Sequence, residues 1–382
     1  MDGECGAVVA SFLSLQERRD LRRVSRRWLY TCTWLQSRGS DEGAVQPKNS
    51  VWNLRSRAFR HAWTSFIRTE SHAFLPHLLE LLPSIAITDT MELKRGLCLS
   101  TNTGRRPSFT NAHARSGYIQ QKINRCGNVP NLLLSEELCD LRSRLFRSNQ
   151  SECWNVALYG GGPAYDVLGL VFMRDYFRAW DVEFHATIYD NEPGWKGAID
   201  AVKQTLGQLG QRNVSLSFQQ CDITLDMCAA ENDDVRCSLQ STKLHLFSFV
   251  CVENSCLLRD SAYVFLQSLF SQCSDGSYFI FTDSTHRLWP AIFHVANASA
   301  PDRFRVSTPF ARSCHYALVL EKLPRYSKAA ASTYPFYTQA MHKLQEFQRH
   351  QRHHLDKLRH DVNDTQHRIK ECTRAKLVEH DS

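Results

Sequence analysis

Residues 154–166 read Trp154-Asn155-Val156-Ala157-Leu158-Tyr159-Gly160-Gly161-Gly162-Pro163-Ala164-Tyr165-Asp166: a strand-length apolar run, a glycine turn, then the start of an apolar helical segment. Glycines at such a turn let the backbone approach a ligand closely and take φ values that other residues resist. The helix that follows supplies free N–H groups and a positive dipole end. One βα unit later comes Ile188-Tyr189-Asp190-Asn191-Glu192. An acid at the carboxyl end of a second strand is placed to accept hydrogen bonds from both ribose hydroxyls of a nucleoside.

Working outward from this turn, further strand-length apolar runs lie at 184–189, 214–218, 244–252, 277–282, 304–306 and 315–320. Helical segments at 166–179, 195–209, 226–240 and 258–272 separate the first five strands. Strands alternating with helices predict an α/β fold built on an open, mostly parallel seven-stranded sheet with right-handed crossovers. The last two strands are joined by a short connector around Pro309–Arg312. That leaves no room for a helix and predicts an antiparallel terminal hairpin.

With these features in place, residues 153–323 resemble the Rossmann-like, class I S-adenosylmethionine-dependent methyltransferases. Tyr159-Gly160-Gly161-Gly162-Pro163-Ala164-Tyr165-Asp166 is similar to the first motif of that family, in the variant where an acid follows the glycines. Asp190 matches the acid after the second strand. Cys221-Asp222-Ile223 resembles the third motif, where an acid approaches the adenine amino group. Val250-Cys251-Val252-Glu253-Asn254 matches the fourth-strand end, where the methyl group and its acceptor meet. The resemblance implies S-adenosyl-L-methionine as cofactor. It implies contacts from Tyr159, Gly160, Gly161, Gly162, Ala164, Asp166, Asp190, Asn191, Asp222, Ile223 and Val252, with Asp190 on the ribose and Asp222 on the adenine. Two positions depart from the family pattern: Leu158 stands where an acid often precedes the first glycine, and Ala164 replaces the last glycine of the turn.

A sulfonium already activates its methyl group, so the protein has mainly to align nucleophile and methyl and to exclude water. Glu253 and Asn254 are the catalytic candidates. Glu253 either positions or deprotonates an acceptor amine or hydroxyl, or caps the next segment. The Asn-Pro-Pro-Tyr signature of amino-methylating enzymes is absent after the fourth strand, and so is a Pro-Cys nucleophile. Methyl transfer to a macromolecule, protein or RNA, is the expected activity. A ligase adaptor carrying a non-catalytic methyltransferase-like domain is the alternative.

The rest of the chain divides by composition. Residues 9–34 resemble the later part of an F-box, with Leu13, Leu15, Val24 and Trp28 as its apolar positions, which implies a ubiquitin-ligase adaptor as partner. A packed amphipathic helix and a phosphate-gripping arginine strip remain open for the same residues. The expected organisation is an F-box-like segment at 1–38, a linker at 39–50, a helical extension or lid at 51–150, the methyltransferase domain at 151–325, and a polar helical tail at 326–382. Residues 100–112, rich in Ser, Thr, Asn, Gly and Arg, read as an exposed loop.

Charge follows the same division. Residues 1–150 hold 22 Lys+Arg against 13 Asp+Glu, whereas residues 151–325 hold 14 against 19. A basic front compatible with nucleic acid or an acidic protein therefore precedes an acidic middle. No apolar run reaches the roughly 18 residues of a membrane span, and the first residues lack the pattern of a secretory signal. The 14 cysteines contain no C-x-x-C pair. Reduced thiols in the cytoplasm or nucleus are the expectation. No metal site is read from the sequence: His350, His353 and His354 fit a solvated helical face.

Overall fold

The computed structural model describes residues 57–103, 106, 108–146, 153–285, 287–308 and 316–325. The F-box-like segment 1–38, the linker 39–50, the tail 326–382 and the connector 309–312 lie outside the described residues.

Seven strands form one sheet: β1 (Cys153–Tyr159), β2 (Glu183–Asp190), β3 (Val214–Gln220), β4 (Leu244–Ser248), β5 (Tyr278–Asp283), β6 (Phe304–Ser307) and β7 (Tyr316–Lys322). Their order is β3-β2-β1-β4-β5-β7-β6. The first five strands run parallel, whereas β7 is antiparallel to both β5 and β6. The chain winds outward from β1 in one direction to β3, then restarts at β4 on the other side of β1. Such a reversal opens a crevice beyond the carboxyl ends of the central strands.

Period-two alternation assigns the two faces of the sheet. Val156, Leu158, Ile188, Leu246 and Ile280 face one core, which includes the helices before the sheet. Those helices include α1 (Arg57–Leu79), α2 (Ile87–Thr103), α3 (Ala112–Lys122), α4 (Asn128–Leu133) and α5 (Cys139–Leu145). Ala157, Tyr159, Tyr189, Phe247, Phe279 and Phe281 face the other core. There, Tyr189, Tyr159, Phe247 and Phe281 stack side by side across four strands, with ring centroids 4.5–5.5 Å apart. In-register parallel pairing puts each ring beside the next, where aromatic contacts add to area burial.

The crossover helices are α6 (Tyr165–Phe177), α7 (Trp195–Gln208), α8 (Asp233–Ser238), α9 (Val250–Glu253), α10 (Ser255–Asp260), α11 (Val264–Gln272) and α12 (Trp289–Ser299). Four local expectations are corrected. Strand β4 stops at Ser248 instead of 252, because Phe249 takes a left-handed φ of 67° and turns the chain into α9. The segment 258–272 is broken at Ala262 and Tyr263, which also have positive φ. Within 226–240 only 230–238 is helical. The polar stretch 100–112 begins as the end of α2, and Phe109 is half-buried against Tyr118 and Trp195. Helix α12, whose core-facing residues are Trp289, Ile292, Phe293, Val295 and Ala296, was not among the expected helices. Among the described residues, no helix is long and apolar enough to cross a membrane.

Candidate functional site

The glycine turn leaves β1 at the sheet's topological switch and lines a cleft of about 780 Å³, counting its open mouth. Close packing requires glycine at 160, and backbone conformation favours it at 162. A Cβ on Gly160 would lie 2.4 Å from Val250 Cγ2, and Gly160 has a φ of +61°. Gly162, at φ +42°, has the Trp195 ring 3.4 Å from where its Cβ would be. Ala164 holds a φ of 60° without being glycine.

The turn and the second-strand acid form one wall. The N–H of Gly162 donates to Asp190 Oδ2 at 3.2 Å, and the N–H of Glu192 donates to Oδ1 at 3.0 Å. Burial pushes the Asp190 carboxyl up to about 6, against the opposing effect of these backbone donors. Asp166, at the start of α6, is buried beneath the turn and accepts from Ser248 Oγ at 2.6 Å. Burial raises it to about 6 as well, while Ser248 and Arg125 pull the other way.

The end of β4, the start of α9 and the helices before the sheet supply the rest of the lining. Glu253 is half-buried, and desolvation lifts its carboxyl to about 8 even though Arg125 opposes the rise. Asp283, buried at the end of β5, is raised to about 7 by burial and accepts from the N–H of Val252 at 3.0 Å. Arg125 stands among these acids. Its guanidinium lies 3.8 Å from the Phe249 ring centroid and donates to Tyr118 Oη at 2.8 Å. Asn128 Nδ2 lines the same cleft and has no hydrogen-bond partner among the described residues.

Of the residues singled out from sequence, Gly160, Gly161, Gly162, Asp166, Asp190, Asn191, Glu253 and Asn254 come together in this cleft. The others do not line it. Tyr159 is buried in the aromatic stack and pairs with His245, its Oη 3.2 Å from Nδ1. Ala164, Ile223 and Val252 are buried beside the cleft. Asp222 is held in a bidentate pair by Arg106, which does line the cleft. Val250, from the quoted fourth-strand motif, also lines it, as do Arg106, Phe109, Arg125, Asn128, Trp195, Ser248 and Phe249, which were not singled out individually. Arg106, Phe109, Tyr118, Arg125 and Asn128 all come from the 51–150 region expected to form a helical extension or lid, where only long-range packing shows which side chains reach the cleft.

No family model matches the chain, and no curated protein matches it. Among solved structures, it is similar to a class I S-adenosylmethionine-dependent methyltransferase of Listeria monocytogenes at 10% identity, covering 67% of this chain and 90% of that one, with a TM-score of 0.37. It is similar to human N-acetylserotonin methyltransferase, solved with S-adenosylmethionine, at 13% identity over 61% and 67% of the two chains, with a TM-score of 0.31. A methyltransferase of Streptococcus mutans, solved with S-adenosylhomocysteine, gives 13% identity over 48% and 97%, with a TM-score of 0.30. The sheet itself decides the fold, through its order and its antiparallel β7 set between β5 and β6. The fold is α/β and Rossmann-like.

Proposed function

We propose that this chain binds S-adenosyl-L-methionine in the cleft and transfers its methyl group to a protein or RNA acceptor. The observation that carries the reading is the Asp190–Gly162 contact, which joins a glycine turn and a strand-end acid into one wall at the switch point. The donor set fits the group. A ligand with both a sulfonium and an ammonium matches a cleft whose lining acids are Asp166, Asp190 and Glu253. The unpartnered Asn128 amide offers a donor.

Asp190 would hold the ribose hydroxyls, and the Gly160–Gly162 turn would give the backbone approach. Asp166 would face the ammonium group, and Arg125 the methionyl carboxylate. The bound group would supply an electrophilic methyl. The chain's own contribution would be to orient the acceptor, and Glu253, carrying a proton near neutral pH, would receive one from it only after ionising. Phe109, Tyr118 and Trp195 pack together at the cleft wall, where they exclude water.

Calorimetry with S-adenosylmethionine tests the reading. Asp190→Ala should weaken binding by about 2–4 kcal/mol, because two charge-assisted hydrogen bonds are lost. Unchanged affinity in a folded variant would remove Asp190 from the site and the reading with it.

A further inference from the structure

Strand register gathers a second chemical cluster at the opposite end of the sheet. Cys153, the first residue of β1, pairs in register with Glu183, the first residue of β2. His185 follows two residues along β2, on the same face as Glu183. One ligand atom from each of Cys153, Glu183 and His185 lies within 4.8 Å of the others. His185 Nε2 is already 2.9 Å from Glu183 Oε1. Cys153 and His185 are exposed and Glu183 is half-buried, so an ion could reach all three.

We infer that Cys153, Glu183 and His185 form a binding site for a borderline divalent metal ion of the Zn²⁺ class. A thiolate, an imidazole and a carboxylate form a mixed S/N/O set that suits Zn²⁺ and disfavours Mg²⁺ or Ca²⁺, which take oxygen ligands. Three protein ligands leave a fourth tetrahedral position for water. Glycine contacts and backbone needs play no part here, because the ligands are side chains on two hydrogen-bonded strands that hold their spacing. Ion–ligand distances of roughly 2.0–2.3 Å require small side-chain rotations from the present separations.

Without an ion, desolvation and the Glu183 charge raise the Cys153 thiol. A divalent cation reverses that balance and deprotonates a coordinating thiol outright. The released proton makes binding stronger as pH rises. Six residues of β1, Trp154 to Tyr159, separate Cys153 from the glycine turn, roughly 20 Å along the strand, so the site is independent of the cleft.

The test uses the full chain after treatment with a chelator. Zn²⁺ titrated by calorimetry into the wild-type protein should show one equivalent more than into Cys153→Ser, Glu183→Gln or His185→Ala. Counting the difference separates this site from other thiols and from the histidines at 350–354. Co²⁺ in the same protein should give a thiolate-to-metal absorption band that disappears in Cys153→Ser. Retained circular dichroism would show that the variants, all at solvent-accessible positions, remain folded. Equal Zn²⁺ stoichiometry in wild type and all three variants would overturn the inference, and so would a Co²⁺ spectrum untouched by Cys153→Ser.

Discussion

Arg106 donates to both carboxylate oxygens of Asp222, each at 2.7 Å, and also to Thr224 Oγ1 at 2.6 Å. The acid expected to contact adenine is therefore held by an arginine from a stretch expected to be an exposed loop. Desolvation works to raise the Asp222 carboxyl, but hydrogen bonds from Arg106 and Thr224 outweigh it and hold the group below its ordinary value.

A group held down in this way stabilises the fold above its unfolded pKa and loses that contribution as pH falls through its folded pKa. Arg106→Ala should cost about 1–2 kcal/mol at pH 7, the range of a charge-assisted pair with partly exposed partners. The gap between variant and wild type, measured by urea unfolding, should narrow at pH 3. A gap of constant size would show that the pair contributes no charge-dependent stability.

Glu253 behaves in the opposite sense. Burial raises its carboxyl from 4.5 to about 8, so the folded state keeps a proton that the unfolded state gives up. Stability from this group is greatest below pH 4.5 and declines as pH rises to 8. Glu253→Gln should stabilise the ligand-free protein at pH 8.5, on the order of 2 kcal/mol after allowing for its partial exposure, and should change little at pH 4.5. Thermal unfolding at the two pH values checks this. An equal shift at both would mean that the side chain acts through packing alone.

Under the proposed function, the same raised acids would set the pH dependence of cofactor binding. Asp166 and Asp190 stand near 6 and Glu253 near 8, so a cationic ligand must drive protons off them. Affinity for S-adenosylmethionine should therefore rise between pH 6 and 8, with proton release visible as a buffer-dependent binding enthalpy. Binding with no proton release across that range would place the cation away from these acids.

The central architecture was legible because its signals are local. A parallel strand buried on both faces reads as a continuous apolar run, and a glycine turn that must approach a ligand reads as Gly160-Gly161-Gly162. The short β6–β7 connector predicted the hairpin by length alone. The break after Ser248 was not legible, since a left-handed φ at Phe249 has no sequence signature of the kind that glycine provides. Arg125 and Arg106 reach the cleft through tertiary packing from the region expected to form an extension or lid, and nothing in the local sequence singles out those two side chains. The Cys153–Glu183–His185 cluster was hidden for a related reason: its members belong to different strands, and only register brings them together.

Ala164 offers a test of backbone strain at the turn. A left-handed conformation costs a non-glycine residue roughly 1–2 kcal/mol, part of which is offset by the greater unfolded-state freedom that glycine would introduce. Ala164→Gly, which removes that strain, should stabilise the protein by about 0.5–1 kcal/mol in chemical denaturation. A loss of stability would show that the Ala164 methyl group, fully buried, contributes more through packing than the strain removes.

His245 lies inside the sheet's aromatic layer, stacked on Phe279 with centroids 4.6 Å apart and paired with the Tyr159 hydroxyl. Complete burial lowers its imidazole from 6.5 to about 3, against a smaller opposing effect of the Thr242 backbone, while Lys243 adds to the lowering. The folded state therefore resists a proton that the unfolded chain accepts. Its contribution is fully present above pH 6.5 and is lost progressively as pH falls toward 3. Phenylalanine at this position would continue the stack without titrating. At pH 7, His245→Phe should cost about 1 kcal/mol, because the Tyr159 hydroxyl loses its partner inside the core. Between pH 4 and 5 the order should reverse, since the wild type has by then lost roughly 2–3 kcal/mol that the variant never had. Urea unfolding across pH 4–7 reads both limbs. Parallel stability curves for the two proteins would mean that His245 is protonated as readily in the fold as outside it, and that the imidazole is not sealed within the aromatic layer.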